Sequence, residues 1–472
     1  MNMIDRQSRL SFLALALLSV AGAGLGWAAQ GQTTGQGTDP AGSRPSAASS
    51  GGSAAPLSAV AQLGKAIFFD QSLSGSGTMS CATCHDPAHH YAPANGLIVQ
   101  LGGPGLDRPG IRPVPSLTYK IATPAFSVGA ENPAEEAAEA SPMAEASGTA
   151  LSQQATPVAG PMAGQPVVKA DAPADNAVPQ GGMFWDGRAD SLEDQALGPL
   201  LSPFEMANPD AKSLYDKIKN RYGEKLAALF GNQVLDDQSM ALSEVGFALA
   251  RYQVEERSFH PYSSKYDAYL RGQVKLSAAE QRGLALFDDA KKGNCASCHL
   301  DKMTDDGQMP AFTDYEFEAL GVPRNPAIPA NADPRYFDLG ICGPQRDDDF
   351  AHQPQNCGLF KTPTLRNAAE RGVYFHNGVY HTLEEATRFY VARDTDPASI
   401  YPKNPDGSIA KFNDLPEAYR GNIDVIDAPM DRKPGQPPAL NEAEIADVVA
   451  FLKTLSDGWS GDQAAKTTAQ QQ

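Results

Sequence analysis

The chain has 472 residues, 42% of them hydrophobic, with 38 basic side chains against 56 acidic ones and a formal charge of −18. That length allows two ordinary domains, each with a sizeable core. The acidic balance argues against nucleic acid and anionic membrane surfaces as partners and favours a partner with a positive docking face.

Arg6 and Arg9 precede an apolar run from Leu10 to Leu25, followed by the small residues Ala28 and Ala29. This is the plan of a cleaved secretory signal peptide over residues 1–29. The run is rich in Ala and Gly and marginal in length for a bilayer, so no membrane span is expected in the mature protein. No cysteine precedes Cys81, which excludes a lipid-anchored start. Residues 30–56, rich in Gly, Ser, Ala, Thr and Gln, read as a flexible linker.

Next comes an amphipathic stretch, Leu63-Gly64-Lys65-Ala66-Ile67-Phe68-Phe69, and then Cys81-Ala82-Thr83-Cys84-His85. The pattern recurs later in the chain. Arg282-Gly283-Leu284-Ala285-Leu286-Phe287, entered by Ser277 as N-cap with Glu280 closing a capping box, precedes Cys295-Ala296-Ser297-Cys298-His299. Cys-x-x-Cys-His is the attachment signature of a c-type haem, with two thiols for the porphyrin and a histidine for the iron. The competing readings are a redox dithiol or half a zinc site. Two copies, each ending in His, favour two covalently bound haem c groups, and such attachment fits an exported, periplasmic protein.

Residues 129–180 are rich in Ala and Pro, and carry Glu131, Glu135, Glu136, Glu139, Glu145, Asp171 and Asp175 against Lys169 alone. With few large apolar residues to offset ordering entropy, they read as a disordered acidic insertion. Cys342 and Cys357, the two cysteines left after haem attachment, lie in a Gly/Pro-rich loop and suit a disulfide in an oxidising compartment. From Asn441 to Leu455, apolar Ile445, Val448, Val449, Leu452 and Leu455 repeat at helical spacing behind an Asn441 cap. No alternating strand pattern of any length competes. The expected class is mainly α: two cytochrome-c-like domains, residues 57–262 and 263–460, each with one haem, and a disordered tail over 461–472.

A relay haem has both axial positions filled, whereas a catalytic haem leaves one open. His85 and His299 supply one ligand each. His89 and His90 are too close to His85 to pass around the porphyrin edge, and Ala92 to Leu106 contains no His or Met. An open first iron is therefore expected.

Phe184-Trp185-Asp186-Gly187-Arg188, running on through Ser191 to Pro203-Phe204-Glu205-Met206, resembles the bacterial di-haem cytochrome c peroxidases and their MauG-like relatives. The resemblance covers most of the chain from Leu57 to Trp459, apart from the insertion. It implies that Trp185 stands between the haems, that Gln195, ten residues on, orients peroxide, that Glu205, ten further, moves its proton, and that Pro199 shapes the pocket. Taken singly, Glu205 and Gln195 would read as surface polar residues and Trp185 as core.

The chain departs from the family twice. Where many members carry a histidine that blocks the first iron until the other haem is reduced, this chain has Leu101, which implies a site open without reductive activation. Fourteen residues after His376 of Tyr374-Phe375-His376-Asn377-Gly378, where other members have a methionine ligand for the second haem, this chain has Tyr390. A phenolate donates charge to oxidised iron, while methionine raises the potential. Tyrosine there is the MauG-like trait. Met430 is the runner-up ligand.

Calcium commonly sits between the haems in this family. Its asparagine ligand would fall at Pro113, leaving the backbones of Arg371 and Val373 as candidates. The resemblance thus implies an oxidoreductase acting on hydrogen peroxide, fed by a small cytochrome c or cupredoxin, in a family whose members are often homodimers. The alternatives are a MauG-like oxidase of a protein or organic substrate, and a non-catalytic di-haem carrier. MauG's surface tryptophan before the second haem motif corresponds here to Gly293, which weakens the protein-oxidising version.

Overall fold

The computed structural model describes residues 55–131 and 177–461. The expected signal peptide, nearly all of the linker, the interior of the insertion and the tail beyond Gly461 lie outside the described residues.

The elements follow in chain order. Helix α1 (Ala59–Phe68) leads to the first haem motif, whose cysteines form a single helical turn, Cys81–Cys84. Strands β1 (Leu101–Gly102), β2 (Arg108–Pro109), β3 (Ser127–Ala130) and β4 (Ala177–Gln180) come next. Helices α2 (Leu192–Leu201), α3 (Ala211–Phe230), α4 (Gln238–Glu255), α5 (Lys265–Leu270) and α6 (Ala278–Asp288) precede the second motif. Strands β5 (Phe317–Glu318) and β6 (Phe360–Lys361) and helices α7 (Leu383–Ala392) and α8 (Glu442–Leu452) follow, with a single helical turn at Pro397–Ile400 between the two helices. The expected capping box of Ser277 with Glu280 starts α6, and the expected Asn441 cap of α8 is completed to a box by Glu444, satisfying the first free N–H groups of each helix.

Helices dominate, but six short strands pair as three antiparallel ladders, β1 with β2, β3 with β4 and β5 with β6. The ladders were not foreseen because two- to four-residue strands carry no readable alternation. One of them corrects the insertion. Ser127 pairs with Gln180 and Ala130 with Ala177, so residues 129–130 and 177–180 are ordered rather than disordered. Backbone pairing orders these residues despite their low apolar content, and Gln180 also bridges to Glu316.

Two large apolar cores stand apart in sequence. One gathers Leu63, Phe68, Met79, Leu214, Val245, Tyr252 and Phe259; the other gathers Tyr266, Phe287, Phe312, Ile445, Val448, Phe451 and Leu455. Each depends on a close helix crossing at a glycine. A Cβ on Gly64 of α1 would lie 1.8 Å from the Ala248 carbonyl oxygen of α4, and one on Gly283 of α6 would lie 2.0 Å from the Asp447 carbonyl of α8. No other residue fits at that separation.

The duplication extends well beyond these helices. Met183 bridges to Ala189 around Phe184-Trp185-Asp186-Gly187, and Tyr374 bridges to Tyr380 around Phe375-His376-Asn377-Gly378. Phe184 (φ 67°) and Phe375 (φ 65°) are both left-handed, as are Gly187 and Gly378. For a bulky residue that conformation costs about 1–3 kcal/mol and persists only where the surroundings enforce it. The next cap, Ser191 or Thr382, opens a ten-residue helix in each half, α2 or α7. Tyr119 and Asn367, matching left-handed residues of Pro115-Ser116-Leu117-Thr118-Tyr119 and Pro363-Thr364-Leu365-Arg366-Asn367, both donate to Oδ2 of Asp457, at 2.6 and 2.9 Å. One carboxylate thus ties equivalent points of the two halves together. The disulfide Cys342–Cys357 (Cα–Cα 5.0 Å) closes the loop before β6.

Candidate functional site: two haem cavities

Each haem motif opens onto its own cavity. Cys81, Cys84 and His85 line the first, while Cys295, Cys298 and His299 line the second. Because the two cysteine pairs face different cavities, they do not form one four-cysteine zinc site.

The histidines are held alike. His85 Nδ1 donates to the Tyr91 carbonyl at 3.0 Å and His299 Nδ1 to the Phe312 carbonyl at 3.0 Å. A carbonyl can only accept, so the proton sits on Nδ1 and the Nε2 lone pair is left for a metal. Desolvation holds both imidazoles down to about 4, against the pull of those backbone hydrogen bonds, so both are neutral ligands at ordinary pH. Two thiols, a neutral imidazole with a fixed tautomer and a mainly apolar wall fit a c-type haem in each cavity.

The first cavity brings together Trp185, Gln195, Pro199 and Glu205 with His85, and Leu101 is in its wall. Ser191 starts α2 by accepting from the Asp194 N–H, which places Gln195 and Pro199 one turn apart. Pro199 lies inside this helix; lacking an N–H, it gives no partner to the Gln195 carbonyl. The turn that follows carries Glu205, whose N–H donates to the Ser202 carbonyl and whose carbonyl accepts from Gly103 N–H at 2.9 Å. Desolvation raises the Glu205 pKa, opposed by the Ser202 hydrogen bond and the Arg188 charge. His89 pairs with Asp86 at 3.0 Å, and neither it nor His90 lines the cavity. Two methionines not considered from sequence, Met79 and Met206, also border it; both are buried in the N-terminal core.

The second cavity is lined by His299, Tyr390, Met430 and His376. Tyr390 sits near the end of α7, and desolvation, followed by the nearby Cys298 and Cys295, raises its pKa. The Met430 sulfur accepts a hydrogen bond from Arg393 Nη1 at 3.1 Å.

Trp185 lines both cavities, and its indole N–H donates to the Pro113 carbonyl at 3.1 Å. Beside it lies a second bridge that sequence spacing did not reveal. Arg112, in the wall of the first cavity, pairs with Asp186 at 2.6 Å and with Asp338, in the wall of the second, at 2.6 and 2.7 Å. Its guanidinium lies 5.4 Å from the Phe360 ring, which stacks on His376 at 3.6 Å. These residues meet only through the tertiary fold, so no motif announces them. Of the backbone oxygens considered for calcium, the Arg371 carbonyl accepts from the Tyr374 hydroxyl at 3.1 Å, while the Arg371 guanidinium donates from Nη2 to the Val114 carbonyl at 2.8 Å.

Paired cavities joined by an aromatic residue, each with two thiols and a histidine, define a di-haem c-type redox protein. The comparisons agree. Residues 58–275 match the model of the di-haem cytochrome c peroxidase family. The methylamine utilization protein MauG of Paracoccus denitrificans is 32% identical over 415 residues, 84% of this chain and 89% of that protein. The cytochrome c551 peroxidase of Nitrosomonas europaea is 28% identical over 336 residues, 69% of this chain and 71% of that one. The crystal structure of the diheme peroxidase BthA from Burkholderia thailandensis superposes with a TM-score of 0.69 at 37% identity, covering 86% of this chain and 87% of that one. The chain belongs to the di-haem cytochrome c peroxidase and MauG family, whose members carry two haem c groups. No helix among the described residues is long and apolar enough to cross a membrane.

Proposed function

We propose that the protein reduces hydrogen peroxide to water at the first cavity, in the periplasm, with electrons from a small cytochrome c or cupredoxin entering through the second. The observation that carries this reading is the gathering of Glu205, Gln195 and Trp185 in the cavity of His85, with Pro199 and Leu101 where the second half or other family members offer a ligand. A haem bound there supplies an iron that takes up peroxide and passes electrons. Gln195 orients the peroxide with its amide. Glu205 would take one proton of the peroxide and return it to the oxygen that leaves as water; two electrons and two further protons would complete the second water. Desolvation raises the pKa of Glu205 and so makes the carboxylate a stronger base for that proton. Trp185, touching both cavities, carries the electron between them.

A second reading is favoured by Tyr390: a MauG-like oxidase that uses two stored oxidising equivalents on an organic or protein substrate. A Tyr390 phenolate holding the iron of a haem in that cavity would suit a haem kept oxidised. The non-catalytic carrier gives no role to Glu205. Mixing the fully oxidised protein with one equivalent of peroxide in a stopped flow tests the proposal. A fast change in the haem spectrum without prior reduction is expected; no change until one haem is reduced would mean a sixth ligand on the first iron.

A further inference from the structure

Between the two cavities the fold concentrates positive charge. Arg112 and Arg188 are balanced by Asp186 and Asp338. Three further cations are not balanced in this way. Arg371 donates to the Val114 carbonyl, part of the wall of the first cavity, and among the described residues it has no carboxylate in ion-pair contact. Lys120 has none either; the charge it feels is that of Arg371, and both are felt by His85. Lys361, 8% exposed, lines the second cavity, where its ammonium donates to the Gly182 carbonyl and its backbone N–H to the Trp185 carbonyl at 2.9 Å. It feels Lys120 as a like charge and Asp186, already shared by two arginines, as an opposite one. Desolvation lowers the pKa of all three, to about 8 for Lys120. Lys361 is buried and Arg371 and Lys120 are half-buried, and cations withdrawn from water without counter-charge are costly, so such a cluster marks the place of an anionic ligand.

We propose that Arg371, Lys120 and Lys361 are the counter-ions of the haem propionates, Arg371 and Lys120 for the first haem and Lys361 for the second, so that the junction between the haems needs no divalent metal. This rests on the di-haem reading of both cavities. The chemistry matches: each haem carries two carboxylates, and a guanidinium offers them paired donors. The residues considered for calcium also fit it poorly: Pro113 has no side-chain oxygen where the family has an asparagine, and the Arg371 carbonyl already accepts from the Tyr374 hydroxyl at 3.1 Å.

The test is a spectroelectrochemical titration of holoprotein, with intact mass confirming two haems. Arg371→Ala should shift the reduction equilibrium of the first haem about tenfold toward the ferric form, because a nearby positive charge favours the added electron. Arg371→Lys should restore most of the shift. Lys361→Met should act on the second haem. If Arg371→Ala fails to mature, Lys120→Met carries the same expectation. Unchanged potentials in variants that retain both haems would overturn the pairing, as would a shift in the wild type on adding EDTA, which would reveal a divalent ion at the junction. A wild-type mass lacking two haems would instead overturn the di-haem reading.

Discussion

The two halves place different residues at equivalent positions of one scaffold. Trp185 matches His376, Asp186 matches Asn377, and the ten-residue helices α2 and α7 begin at the same distance beyond them. On those helices Gln195 matches Ala386, and Pro199 matches Tyr390. Where one half points a phenol into its cavity, the other has a ring that cannot ligate iron and an amide one turn before it. The lesson is that one exchange on one helix face decides whether a cavity receives a phenol oxygen or a ring with no donor, with no change in how the motif histidine is held.

The largest expected effect breaks the comparison at its acid. Glu205→Gln should reduce peroxide turnover by about 10²–10⁴-fold, the usual worth of a positioned general acid–base. The residue at the matching position in the second half, Asp396, is exposed and does not line its cavity, so Asp396→Asn should leave turnover unchanged. Steady-state peroxide assays of the two variants separate a chemical role from a charge effect. Equal rates for Glu205→Gln and wild type would remove Glu205 from the mechanism.

A second break exchanges the ligand positions. Pro199→His should place an imidazole in the first cavity and turn that haem six-coordinate and low-spin, with peroxide turnover lost. Tyr390→Phe should open the second haem and give it a high-spin ferric spectrum. Electron paramagnetic resonance of the oxidised proteins reads both changes. A spectrum unaltered by Tyr390→Phe would transfer the ligand role to Met430, which would then have to give up Arg393.

A third test treats the halves as structurally alike. Gly64→Ala and Gly283→Ala each force a methyl group against a carbonyl oxygen across a helix crossing. Each should lower stability by about 1–3 kcal/mol, the common cost of overpacking, as read by thermal unfolding of the holoprotein. A neutral result in one half alone would mean that its crossing can slide apart.

Much of this was legible before any coordinates. The haem motifs, the α6 capping box, the Asn441 cap of α8 and the Trp185–Gln195–Glu205 spacing are local patterns, each set by residues within about twenty positions. What was not legible depends on distance in the chain. Arg112 reaches Asp338 across 226 residues and Arg371 reaches Val114 across 257, and no periodicity encodes such meetings. The β3–β4 ladder was hidden differently: its four-residue strands flank a segment whose composition pointed to disorder. The match of Pro199 to Tyr390 needed the bridges around Trp185 and His376 to align the halves.

The smallest effect sharpens the electrostatics of the first half. Glu205 acts as a base only when ionised, so turnover must fall as pH drops through its pKa. Desolvation raises that pKa above the ordinary 4.5, so the acid limb of the pH–rate profile should lie above that of an exposed glutamate. Arg188 opposes the rise, and it is held by Asp186 at 2.9 Å and over the Phe184 ring at 3.6 Å. Arg188→Gln removes that opposing charge, and the limb should move further upward by a fraction of a unit, with the plateau rate at high pH little changed. A limb that stays in place would mean that Arg188 is screened from Glu205 by its bond to Asp186. Its part in the first half would then be to brace the Trp185 turn, the role that Asn377, bonded to Asp414 at 2.8 Å, shares in the second.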